Sequence, residues 1–164
     1  MMYNTQQEQK ENLLREVEKL RQRYELSKTL EPDYFEPGMM EYLDQSEGFF
    51  NPETGDILIR FEVKGTRYEG RTEQIEKVNI GDSVRIIREQ QNAYNPNNFV
   101  VLTVKGKDLG YLPAQLCNVI APLYDSGNLI FNGAEVSFAD PISRRSRHAK
   151  QAVLFVELKM NIQI

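Results

Sequence analysis

From Asp56 onward the chain is built of short β-forming runs, the first of which alternates apolar and polar residues, and this pattern constrains the fold more than any other feature. Ile57, Ile59, Phe61 and Val63 share one face of an extended segment Ile57–Lys64, because successive side chains of a strand point to opposite sides. Ser83–Arg88, Phe99–Lys105, Leu129–Phe138 and Val153–Met160 follow, separated by Gly, Asn, Pro and Asp, the residues that turn a chain. Five or six runs at this spacing predict a small barrel or a sandwich. One helix interrupts them, about Pro113–Tyr124, with Leu116, Val119, Ile120 and Leu123 on one face. Pro113 suits its first turn and Gly127 its stop.

The N-terminal part is built differently. Gln6–Lys28 has no Gly or Pro and is rich in Glu, Gln, Lys, Arg and Leu, which predicts a helix. Leu13, Val17, Leu20 and Tyr24 recur at spacings of four, three and four, the rhythm of a seam. Two readings fit that seam: a helix docked on its own domain, or a short coiled coil that makes a homo-oligomer. Glu31–Asn51 is broken by Pro32, Pro37 and Gly38 and carries scattered Met, Tyr and Phe. It reads as a connecting arm with a short helix around Met39–Gln45. The chain therefore divides into an arm and connector, 1–47, and a mainly β domain, 48–164.

Charge and composition narrow the function. The net charge of −4 over 164 residues argues against holding nucleic acid by bulk charge. The charge is unevenly spread, however. Up to Glu47 there are eleven acidic and six basic residues, a net of −5, and the remainder has thirteen and fourteen, a net of +1. One cysteine, Cys117, and one histidine, His148, rule out an internal disulfide and a Cys/His zinc site. No metal or cofactor is expected. No segment approaches the roughly 18 apolar residues of a membrane span, and the polar N-terminus is unlike a signal peptide. A cytoplasmic protein without membrane contact is the expectation. No glycine-rich phosphate loop, H-E-x-x-H or G-x-S-x-G occurs, and Cys117 reads as a buried structural residue, so no catalytic residues are assigned.

The most informative stretch is Arg88-Glu-Gln-Gln-Asn-Ala-Tyr-Asn-Pro-Asn-Asn-Phe-Val-Val101. Val63-Lys-Gly-Thr-Arg-Tyr-Glu-Gly70 precedes it, and Leu109-Gly-Tyr-Leu-Pro113 and Ala121-Pro-Leu-Tyr-Asp-Ser-Gly127 follow. In order and spacing these resemble the HIRAN domain over Ile57–Leu158, a module found alone in bacteria and fused to DNA translocases. The resemblance implies a mainly β fold with α elements: a small OB-like β barrel of about six strands with one or two helices, here preceded by an N-terminal α-helical arm. It also implies a non-catalytic domain that grips the 3′ end of single-stranded DNA, in repair or replication.

Tyr68 and Tyr94 match the family's two aromatic positions. Every base offers a π-face, so a flat aromatic suits a sequence-tolerant site; barrel packing is the alternative use of both rings. Arg67 matches an arginine directed at phosphate, which a guanidinium can grip through two oxygens. Gln91 and Asn92 align with polar positions able to donate to the strand, although Gln and Asn are also turn residues. Asn97 is read as shaping the turn.

The chain also departs from the family pattern. Asn95 stands where the family has an aspartate that accepts from a 3′-hydroxyl, and its amide could also donate to a 3′-phosphate. Tyr111 occupies a position that can be histidine, and Ala114 replaces a basic residue. Arg144, Arg145, Arg147 and Lys150 form a basic loop between the last two strands. Such a loop suits phosphate contacts, or only solubility. The competing function is a protein-interaction or oligomerisation module whose acidic arm has replaced or blocked DNA.

Overall fold

The computed structural model of the protein describes residues 7–16, 49–51, 53–68, 70–140 and 152–163. Residues 7–16 form a helix, α1. The strands and helices that follow are β1 Phe49–Phe50, β2 Asp56–Glu62, α2 Arg71–Ile75, β3 Val84–Glu89, β4 Asn98–Thr103, β5 Asp108–Tyr111, α3 Ala114–Asp125, β6 Leu129–Asp140 and β7 Val153–Ile162.

The alternation in β2 works as expected. Ile57, Ile59 and Phe61 are buried and the residues between them reach the surface. β2 pairs antiparallel with β7, Ile57 opposite Met160 and Phe61 opposite Val156. Arg60 stands directly opposite Glu157 on the outer face and donates from Nε to its carboxylate at 2.8 Å. One sheet runs β1-β2-β7-β6 and the other β3-β4-β5.

The sheets are joined at two corners, which decides between barrel and sandwich. Just past β2, Lys64 and Tyr111 exchange backbone hydrogen bonds at 2.8 and 2.9 Å. At the other corner Ser83 bridges Glu135, Val136 N–H donates to Asp82 O at 2.8 Å and Gly81 N–H to Val136 O at 2.7 Å. The order β2-β7-β6-β3-β4-β5 thus returns to β2, a ring that removes most exposed edges.

The core fills this ring. Phe61, Phe99, Leu109, Leu116, Ile120, Leu123, Leu154 and Val156 belong to one buried cluster. α3 lies against β4 and β6, where Phe99, Tyr124 and Phe131 form a trio with ring centroids 5.0–5.6 Å apart. Pro113 precedes the first turn of α3, and Gly127, with φ +81°, ends it. Gly127 N–H returns to Tyr124 O at 3.1 Å and Asn128 N–H to Leu123 O at 2.9 Å, a left-handed cap that glycine adopts without Cβ strain.

Three elements were not foreseen, the first being the two-residue β1. α2 is five residues long, too short to show a helical period, and β5 contains Gly110 in place of an alternating residue. Of the two readings of the seam, Leu13 fits the helix docked on its own domain. This residue is 0% exposed and belongs to the core cluster of the β domain, so it has no surface left for a second chain. Burying a leucine contributes roughly 1.5–3 kcal/mol, which ties α1 to the domain that follows it. Val17, Leu20, Tyr24 and the segment Met39–Gln45 lie outside the described residues.

Candidate functional site

Two loops and the end of β5 meet at one rim of the barrel. The first loop follows β2 and carries Arg67 and Tyr68. The second, residues 90–97, joins β3 to β4 and carries Tyr94. Tyr111 ends β5 between them: it pairs with Val100 of β4 on one side and with Lys64 on the other.

The first loop is pinned from beneath. Gly65, at φ +72°, reverses the chain, and its carbonyl accepts from Arg71 Nη1 at 2.9 Å and from Tyr68 N–H at 3.3 Å. Arg71 is 1% exposed; its Nε and Nη2 each reach an Asp108 carboxylate oxygen at 3.1 Å. The guanidinium also lies 4.3 Å from the centre of the Tyr111 ring. Burial opposes the Arg71 charge, but hydrogen bonds to Asp108 and Tyr111 outweigh it and hold the pKa above its ordinary value. Above this anchor Tyr68 is 51% exposed. The Arg67 guanidinium lies 4.8 Å from its ring centre and donates to its hydroxyl.

The second loop is braced by asparagines and one arginine. Asn92 Oδ1 accepts from the backbone N–H of Tyr94 at 2.9 Å and of Asn95 at 3.0 Å. Asn95 Oδ1 accepts from Asn97 N–H at 2.9 Å. Asn118 of α3 accepts from the side-chain amides of Asn95 and Asn97 at 3.4 and 3.3 Å. Arg88 donates to Pro96 O at 2.7 Å and Asn98 O at 3.2 Å while gripping both Asp125 oxygens at 3.0 and 2.9 Å. A bidentate pair of this kind fixes direction as well as distance. At the tip, Tyr94 is 98% exposed and Gln91 is exposed beside it.

Several readings from sequence are thereby refined. Barrel packing is not the use of Tyr68 or Tyr94, since both are exposed, Tyr94 almost fully. The Asn92 oxygen and Asn97 shape the turn. Tyr111 has one role at the barrel corner and another as the stacking partner of Arg71, so that part of its ring is covered. Arg144, Arg145, Arg147 and Lys150 lie outside the described residues. The strand that follows them is anchored at this rim, because Ala152 O accepts from Thr66 Oγ1 at 2.9 Å, next to Arg67.

Arg88, Asp125, Arg71, Asp108 and Asn118 were missed. Arg88 opens the central motif, but its partner Asp125 lies 37 positions away, and no local pattern signals such a pair.

No group of three or more His, Cys, Asp or Glu able to hold a metal occurs among the described residues, and no described helix is long and apolar enough to cross a membrane. Cys117 is buried, and desolvation pushes its thiol up to about 11 from 9.0. That shift lowers the thiolate fraction about a hundredfold at neutral pH. Native protein is therefore expected to leave Cys117 unlabelled by a disulfide reagent at pH 8, with labelling on unfolding; rapid native labelling would contradict this burial. The unfolded thiol ionises first, so its contribution to stability is full below pH 9 and is lost as the pH rises toward 11.

The family profile of the HIRAN domain matches residues 57–154, more than half of the chain. The chain belongs to the HIRAN family. The match covers both aromatic loops, β5 and α3. Similar solved structures include the HIRAN domain of human HLTF, at 21% identity over 66% of this chain and 82% of that one, TM-score 0.48. A protein from Lactobacillus plantarum is 24% identical over 64% of this chain and 98% of that one, TM-score 0.48. The HLTF HIRAN domain in its DNA-bound conformation is 20% identical over 65% and 76%, TM-score 0.44. Comparison with curated proteins returned no match. Within this HIRAN domain Tyr68 and Tyr94 are the exposed rings of the two loops.

Proposed function

We propose that this protein is a non-catalytic binding module for single-stranded DNA, holding the strand at its 3′ end, with Tyr94 and Tyr68 as stacking platforms. The observation that carries the reading is Tyr94. A ring 98% exposed on a loop braced by Arg88, Asp125 and Asn118 is open to a flat partner, and little ordering cost falls on the loop backbone. Membership of a family in which the HLTF domain has a DNA-bound conformation supports nucleic acid as that partner. Arg67 and the basic loop Arg144–Lys150 supply phosphate contacts, and Asn95 stands next to Tyr94 for the strand end. A net of +1 in residues 48–164 suits recognition of a short end rather than coating of long strands. A cytoplasmic role at DNA ends in repair or replication follows from the same reading.

Fluorescence anisotropy on the full chain tests it; the arm is retained because Leu13 is a core residue. Tyr94→Ala is expected to weaken binding of a single-stranded oligonucleotide about tenfold, the effect of losing one stacked base, with an unchanged melting temperature. Oligonucleotides with a free 3′ end are expected to bind more tightly than duplexes carrying only a 5′ overhang. Salt-insensitive binding, or equal affinity of Tyr94→Ala and wild type, would sink the proposal. Equal binding to all ends would reject end recognition alone.

A further inference from the structure

Asn118 reaches the 90–97 loop from α3, and its Oδ1 accepts two hydrogen bonds, from Asn95 Nδ2 and Asn97 Nδ2. A carboxamide oxygen has two lone pairs, so both are in use. The residue is exposed, and its Nδ2 has no partner among the described residues. The side chain therefore offers solvent two N–H donors and no acceptor. Asn92 is in a related state: its Oδ1 takes two backbone N–H groups, and its Nδ2 meets only Glu89 Oε1 at 3.4 Å. Two carboxamides with their oxygens committed to the loop thus border Tyr94 and Asn95.

A ligand group resting against such donors must be an acceptor. A strand stacked on Tyr94 carries phosphate oxygens beside every base, and amide side chains are ordinary partners for them. We infer that Asn118 is a strand-binding residue whose Nδ2 donates to a phosphate oxygen of the strand bound at Tyr94. This rests on the DNA-binding reading above. The two ends of one side chain have separate work: the oxygen braces the loop and the nitrogen meets the backbone anion. Aspartate at this position would still accept from Asn95 and Asn97, but it would turn a negative charge toward the phosphate.

That difference makes the test. The full chain is titrated into a 5′-fluorescein single-stranded oligonucleotide, and into one with neutral methylphosphonate linkages at its last 3′ positions. Wild type, Tyr94→Ala, Asn118→Asp and Asn132→Asp are compared. Asn132 is exposed on β6 and controls for the change in net charge. Asn118→Asp is expected to weaken binding of the phosphodiester strand about tenfold, as for a hydrogen bond to a charged group, and Asn132→Asp less than twofold. On the neutral linkages Asn118→Asp and wild type are expected to agree within twofold. Wild-type affinity of Asn118→Asp would overturn the inference and leave only the bracing role. A loss that persists on the neutral linkages would overturn it too, since phosphate would not be the group met. If wild type fails to bind in a Tyr94-dependent way, the DNA-binding reading fails, and this inference with it.

Discussion

Gly110→Ala is expected to lower the stability of the protein by more than about 3 kcal/mol, the scale of a forced backbone clash. For a chain of this length that corresponds to roughly a 10 °C fall in melting temperature. Gly110 has φ +137°, and a Cβ built there would lie 2.4 Å from Lys64 O and 2.6 Å from Val63 Cγ1. The nearer atom is backbone, and it is the carbonyl that accepts from Tyr111 N–H at the corner between the sheets. The clash cannot be relieved by rotating a side chain; the corner must open. Gly106→Ala separates the two components of this cost. Gly106 also has positive φ, at +85°, but nothing lies within 4 Å of its Cβ position, so only the left-handed conformation is penalised, about 1–2 kcal/mol. Urea denaturation of both variants checks this. Equal losses would mean that the corner is not tightly closed.

Asp108→Ala is expected to cost about 3 kcal/mol, the low end for breaking a buried charged pair, because the Asp108 side chain is itself 35% exposed and water can partly replace it. Arg71, at 1% exposure, keeps its charge and loses both carboxylate contacts. Gly110 N–H loses its bond to Asp108 Oδ1 at 3.0 Å as well. The double variant Arg71→Met, Asp108→Ala removes the buried charge as well and is expected to recover part of the loss, since a pair replaced together is often near neutral. The same substitution reaches the rim. Arg71 holds Gly65 O and lies on Tyr111, so the turn that presents Tyr68 loosens when Asp108 no longer fixes the guanidinium. A loss below about 0.5 kcal/mol for Asp108→Ala, the scale of an ordinary surface substitution, would show that the pair does not hold this rim together.

Much of the fold was legible from local pattern. β2 declares itself by alternation, because one of its faces is buried; β3, β4, β6 and β7 declare themselves as short β-rich runs between turn residues, and β4 and β7 each bury four residues in a row. α3 declares itself through Leu116, Ile120 and Leu123 at helical spacing, all buried. β5 was not legible, since its Gly110 answers to Lys64 across the barrel corner rather than to its own neighbours. α2 was not legible either, being held by the Arg71 and Ile75 side chains it buries instead of by a repeating stripe. In the site, Tyr68 and Tyr94 were visible as motif residues, but their exposure was not.

By itself the sequence determined that the second part of this chain is a small β fold with one amphipathic helix, and that it carries the motif of its family. Periodicity and turn chemistry are local, and a local pattern survives in a linear string. The closure into a barrel, the burial of Leu13 in the core and the pairs Arg88–Asp125 and Arg71–Asp108 were decided only by the tertiary structure. Each joins residues far apart in the chain, and its energy exists only once the packed sheets hold the partners within hydrogen-bond distance and away from water.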